Sequence, residues 1–216
     1  MEITSLGHAS FKIRGKSVTV VTDPFDPKVV GLAFPKHVSA DIITISHAHP
    51  DHNAAASIEG TPFVVSGPGE YEVHNVSIIG ISTFHDDAKG EKLGRNTMYH
   101  MEMEGVNIAH LGDLGHMLSS AEIEKLDGVD ILFIGVGGGE HMLSPKDAAT
   151  LVGEIEPKVV IPMHYKTDKH DEKTFGSLES LSVFLKEMGK EAVQPVPKFV
   201  TTKDKLPQEM QVIVLE

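Results

Sequence analysis

Residues 44–53 read TISHAHPDHN, which places His47, His49, Asp51 and His52 within six positions. Each of these side chains can offer a lone pair to a cation or take up a proton. On extended backbone, side chains two apart point the same way, so His47 and His49 share a face. Asp51 and His52 are adjacent and diverge as the chain turns. Two sets of donors can then face two neighbouring cation positions. Imidazole and carboxylate are the donors expected for Zn, Mn, Fe or Ni. His and Asp each make up about 6% of the chain, so independent placement gives this pattern in roughly 0.3% of such sequences. A coincidental polar loop and a single structural cation are the weaker readings.

The flanking segments must position these donors. "ADIITIS" is a short apolar run, read as a buried strand that feeds straight into the motif. "PDHNAAASIEG" then starts with Pro and alanines, which predicts a helix. "ITSLGHASFKI" and "SVTVVTDPF" read as two strands around the turn "RGKS". "TPFVVSG", "VSIIGIST", "TMYHMEMEG", "VNIAHLGD", "VDILFIGVGGG", "KVVIPMH" and "MQVIVL" are further strands. Helices are expected at "SSAEIEKLDG", with a Ser119/Glu122 capping box, at "SPKDAATLVGEIEP", with Ser144 as N-cap, and at "SLESLSVFLKEMG", closed by Gly189. "VPKFVTTKDKLPQ" reads as a loop. Strands come first, then strands alternate with helices. That order predicts an α+β chain of two sheets with helices outside, and one domain over residues 1–216.

Composition narrows the function. The formal net charge is -12, which disfavours nucleic acid and anionic membrane surfaces as partners. The chain has no Cys, so neither disulfides nor thiolate metal sites can form. No signal peptide and no run of about 18 apolar residues is evident, so a soluble cytoplasmic protein is expected. The 13 histidines are an excess, and several end apolar segments.

The signature His47-x-His49-x-Asp51-His52 after an apolar strand resembles that of the metallo-β-lactamase superfamily. The resemblance implies a four-layer αββα sandwich with a two-metal site at one edge of paired mixed sheets. It also implies three later ligands, and His85, Asp113 and His164 stand in that order at the ends of apolar runs. By the resemblance, His47, His49 and His85 hold one metal, and Asp51, His52 and His164 the other. Asp113 and a water bridge them. Zn²⁺ is the first expectation, with Mn²⁺, Ni²⁺ and Fe²⁺ as alternatives. The chemistry implied is a metal-held hydroxide attacking an ester, lactone or phosphoester of a small substrate. "GHASFKI", "TDPF", "HLGD", "GGG…SPKDAA" and "EPKVVIPMHY" together resemble the small hydrolases related to L-ascorbate-6-phosphate lactonases.

Asp51 is the expected proton acceptor and His8 a residue near the metals, although a structural histidine at position 8 weighs equally. His110 is expected to be structural or to orient Asp113. His116 and His141 border the site as loop residues, whereas His37, His74, His100 and His170 are assigned to surface or packing. Asp86 reads as a solvated loop acid, and Gly137, Gly138 and Gly139 as either a close approach or a flexible turn. Met98, Met101 and Met103 belong to the core. Two other functions stay open: a non-catalytic metal-binding sensor, and a nuclease within the same fold. A homo-oligomer is not excluded.

Overall fold

The computed structural model describes residues 1–139 and 142–216. Its strands are β1 (Glu2–Gly7), β2 (Ser10–Arg14), β3 (Thr19–Thr22), β4 (Ile42–Ile45), β5 (Phe63–Ser66), β6 (Gly69–Val73), β7 (Val76–Phe84), β8 (Arg95–Met103), β9 (Val106–His110), β10 (Ile131–Gly135), β11 (Val159–Met163), β12 (Phe199–Val200) and β13 (Gln211–Val212). The helices are α1 (Pro27–Val30), α2 (Ser120–Glu124), α3 (Pro145–Ile155), α4 (Glu172–Phe175) and α5 (Leu181–Glu187). A six-stranded sheet runs β12-β1-β2-β3-β4-β5, and a seven-stranded sheet runs β13-β11-β10-β9-β8-β7-β6. Both mix parallel and antiparallel pairs.

Side-chain alternation builds the layers. In β10 every residue is buried. Ile131 and Phe133 face the inter-sheet core with Phe11, Ile13, Tyr99 and Ile161. Leu132 and Ile134 face the opposite side and pack with Leu151, Val152 and Phe184 of α3 and α5. A strand covered on both faces reads as a continuous apolar run, as this one does. The outer face of the first sheet is covered differently. Val21, Ile43 and Ile45 pack under Val38, Ile58 and Phe34, which lie outside the α-helices.

Strand direction decides where functional groups collect. β1 and β2, then β2 and β3, are antiparallel, and β3 and β4 are parallel. So β1, β3 and β4 end at one edge of their sheet. In the second sheet β7, β9, β10 and β11 likewise run the same way. The residues just past these ends are His8, Asp23, His47, His85, Asp113 and His164. Tyr99 joins the sheets there, donating its buried hydroxyl to the carbonyl of Ile45 at 2.7 Å.

Three local expectations need correction. No α-helix follows the histidine motif; the chain makes a turn and then a 3-10 turn at Ala55–Ser57. Asn53 donates its side-chain N–H to the carbonyl of Ala48 (2.7 Å), closing the loop locally instead. The first predicted strand is a hairpin, turning at Gly7 (φ 107°) and His8 (φ 56°). The stretch read as a loop near the end contributes β12, which pairs with β1. The capping box of α2 and the Ser144 cap of α3 form as expected.

Candidate metal centre

The edge where the parallel strands end brings all the predicted donors together. Ligand atoms of His8, Asp51, His52 and His164 lie within 4.8 Å of one another, as do those of His47, His49 and His85, and those of His47, His52 and Asp113. Oδ2 of Asp113 is the point of convergence. It lies 3.1 Å from Nε2 of His52, 3.3 Å from His85, 3.3 Å from His164 and 3.9 Å from His47. Asp51 Oδ2 sits 3.5 Å from His52 Nε2, 3.8 Å from His164 Nε2 and 3.3 Å from His8 Nε2.

A buried carboxylate outside the predicted set fixes the ring orientations. Asp23, fully buried at the end of β3, accepts the N–H of Ser46 at 2.8 Å and its hydroxyl at 2.5 Å. It also accepts Nδ1–H of His52 at 2.8 Å. With its proton committed to Asp23, the Ser46 oxygen accepts from His47 Nδ1 at 2.9 Å. One carboxylate thus sets the tautomer of two motif histidines and leaves Nε2 of each facing inward. Nε2 of His47 and of His52, and Oδ1 of Asp113, are buried with no hydrogen-bond partner among the described residues. Imidazole nitrogens and a carboxylate oxygen turned inward and buried without a hydrogen-bond partner are what a divalent cation requires, so the residues present fit one. The signal for Asp23 was "TDPF", an acid directly after an apolar strand.

Charges in the cluster are strongly coupled. Burial opposes ionisation of Asp113, but His164 and His52 beside it hold its carboxyl well below the usual range. Asp51 is likewise held down against burial by His52, His164 and His8. Burial would lower His52, yet Asp113 and Asp51 push it well above an ordinary imidazole. Burial, then His52, lowers His47 to about 3. Cation binding would replace imidazolium protons here and release them.

The neighbours of the cluster each have a use. His110, buried, donates Nε2–H to the carbonyl of Ala9 (3.0 Å) and accepts the N–H of Gly112 (3.2 Å), which ties the "LGD" turn to the β1–β2 hairpin. Asn96, which the sequence did not single out, accepts the N–H of Asp113 at 3.1 Å. Gly112 has φ 57°, and a Cβ there would stand 2.3 Å from Asn96 Oδ1. Gly137 is a close approach and not a slack turn, because a Cβ would meet the His164 carbonyl at 2.3 Å. His116 accepts from Phe84 N and is structural. Tyr165 packs against the helix-side core. His141 lies outside the described residues. His37 pairs with Glu59 on the surface, and Met98, Met101 and Met103 are buried in the core. His170, assigned to surface or packing, contacts His8 through its ring nitrogen.

Asp86 also departs from its expected role. It is buried and accepts four backbone N–H groups, from Ala88, Gly90, Lys92 and Leu93, at 2.7–3.0 Å. These bonds, that from Leu93 first, lower its pKa to about 2. Because the folded pKa is depressed, its stabilisation is present above the ordinary carboxylate value and is lost as pH falls through about 2. Asp86→Ala is expected to speed amide hydrogen exchange at those four positions, with metal content unchanged.

A cleft of about 720 Å³ opens beside His85, lined also by Asp87, Lys92, His116, Met142 and Ser144. Two mixed sheets thus carry a buried His/Asp cluster across their common edge. Residues 2–164 match the Beta-lactamase superfamily domain, and the chain belongs to that superfamily. It is 36% identical to a structure from Thermotoga maritima assigned to the Zn-dependent hydrolases of the metallo-β-lactamase superfamily, with a TM-score of 0.79 and coverage of 99% of this chain and 97% of that one. It is 30% identical over 193 residues to a metal-dependent hydrolase of Thermococcus onnurineus, covering 77% of this chain and 85% of the relative. An isothiocyanate hydrolase from Delia radicum gut bacteria shares the fold, with a TM-score of 0.71 at 13% identity, 94% of this chain and 99% of that chain being covered. The protein is thus a metal-dependent hydrolase. No helix among the described residues is long and apolar enough to cross a membrane.

Proposed function

We propose that the centre holds two divalent cations and hydrolyses an ester, lactone or phosphoester bond of a small molecule. The observation that carries this is the position of Asp113. Its Oδ2 lies between His47 and His85 of one donor group and His52 and His164 of the other. In this reading His47, His49 and His85 hold one cation, Asp51, His52 and His164 hold the second, and Asp113 reaches both. The donors suit Zn²⁺ first, with Mn²⁺, Ni²⁺ or Fe²⁺ as alternatives. When bound, such a pair lowers the pKa of water from 15.7 to roughly 7 and offsets charge that develops on a reacting oxygen.

The chain's own residues do the rest. Asp51 is more open than Asp113, with 12% of its side chain exposed against 1%, so it is the carboxylate placed to take a proton near the substrate. His8 donates Nε2–H toward Asp51 Oδ2 and orients it. The cleft beside His85 has the size of a small-molecule site. The net charge of -12 speaks against nucleic acid as substrate and fits a small-molecule enzyme.

The test measures metal and rate together. Protein prepared without tag or chelator should carry close to two metal ions per chain and hydrolyse bis-p-nitrophenyl phosphate or a lactone. His47→Ala and His52→Ala should each lose metal and activity. Two ions per chain retained in both variants would refute the ligand assignment.

A further inference from the structure

The loop after β11 returns to the centre from outside. Thr167 points its backbone N–H at Nδ1 of His170, 3.1 Å away, and its hydroxyl lies 2.9 Å from the same nitrogen. A backbone N–H can only donate, so Nδ1 of His170 is an acceptor and the ring proton is on Nε2. That Nε2 lies 3.2 Å from Nδ1 of His8. His8 Nδ1 must then accept, which puts the His8 proton on Nε2, 3.3 Å from Asp51 Oδ2. The bonds all run one way, from a main-chain amide through two imidazoles to a carboxylate.

We infer that His170 is a positioning residue for the hydrolytic reaction: through His8 it fixes which ring nitrogen carries the proton facing Asp51. This rests on the reading of Asp51 as a group of the metal centre. It also decides a point the distances leave open. His8 has a ring nitrogen among the ligand atoms of Asp51, His52 and His164. With Nε2 protonated and Nδ1 bonded to His170, it has no lone pair to give a cation. The second donor group is then Asp51, His52 and His164, and His8 stands behind Asp51.

The loop is held firmly enough for this. Asp171 N donates to the Val30 carbonyl (2.9 Å), and Asp171 caps α4 through Thr174 N (2.9 Å). Lys166 Nζ reaches the Gly176 carbonyl at 2.8 Å. Gly31, at φ 85°, lets the loop lie against α1; a Cβ there would stand 2.7 Å from Asp171 N. The rings of His8 and His170 both pack on Phe175, with centroids 5.0 Å and 5.5 Å from it. His170 thus touches His8 through a built contact and not by chance of a surface rotamer.

The experiment compares wild type, His170→Ala and His170→Gln, each metal-free and zinc-loaded. Imidazole nitrogen NMR on histidine-labelled protein reads the His8 tautomer, and kinetics use bis-p-nitrophenyl phosphate. Wild-type His8 should carry its proton on Nε2 in both forms. His170→Ala should mix the His8 tautomers and lower kcat about tenfold, with zinc per chain and KM little changed. His170→Gln, whose amide can donate to His8 Nδ1, should restore the tautomer and most of kcat. A His8 proton on Nδ1 in wild type, an unchanged tautomer in His170→Ala, or zinc lost in that variant would each overturn the inference. Wild type without zinc binding would sink the dinuclear reading instead, while the metal-free spectra would still decide the tautomer.

Discussion

Asp113→Ala should leave a folded protein that binds less than one metal ion per chain and whose hydrolysis falls at least about a thousandfold. The first effect follows from geometry, since four imidazole nitrogens lie 3.1–3.9 Å from the one carboxylate oxygen removed. The second follows because the proposed two-cation reaction would lose the lowered water pKa and the oxyanion stabilisation together. A stability effect should accompany them in the metal-free protein. Removing one partner of a buried charge pair costs about 3–5 kcal/mol. Asp113 is 1% exposed and His52 is fully buried.

That loss should depend on pH in a definite direction. His52 is raised above its ordinary 6.5, so its pairing with Asp113 stabilises fully below that value and fades as pH rises through the raised one. Asp113 is lowered from its ordinary 3.8, so its share is present above that value and fades as pH falls through the lowered one. The gap in Tm between metal-free wild type and Asp113→Ala should therefore be widest between 3.8 and 6.5. Thermal unfolding across pH measures it. A gap that keeps widening above pH 8 would show that the pairing of Asp113 with His52 is not its source.

Asp23→Ala should weaken both proposed metal positions, although Asp23 belongs to neither donor group. The substitution strands three buried donors: the N–H and hydroxyl of Ser46, and Nδ1–H of His52. Each buried donor left unsatisfied costs roughly 1–3 kcal/mol. The hydroxyl of Ser46 then no longer has a fixed acceptor, so it can donate to His47 Nδ1 and stop holding the ring proton there. Zinc affinity, measured by competition with a chelator, should drop about 10–100-fold at both positions. His52→Ala should abolish one position and leave the other partly filled. An Asp23→Ala protein that loses stability while binding two zinc ions with wild-type affinity would reduce Asp23 to a packing residue.

Four of the candidate donors were legible in the sequence itself, because His47, His49, Asp51 and His52 sit in one short segment. His85, Asp113 and His164 entered through the family resemblance, each just past an apolar run, and the structure brings all seven to one edge. The buried strands were legible too, since a strand with both faces covered is apolar throughout, as in β4, β10 and β11. The helix expected after the motif failed because alanines and a leading proline set only a local preference. The loop's own Asn53 bond and the packing of Ala55 and Ile58 onto the first sheet override it.

Asp23, Asn96 and His170 were the residues that pattern could not assign. Each acts through partners distant in sequence: Asp23 on Ser46 and His52, Asn96 on Asp113, His170 on His8 across 162 positions. A hydrogen bond between strand ends leaves no periodic trace in either segment. The sequence by itself determined which side chains could bind a cation and which stretches had to be buried. Only the tertiary structure decided which ring nitrogen His47 and His52 turn inward, because that depends on Asp23, a carboxylate from another strand that holds His52 directly and His47 through the Ser46 hydroxyl.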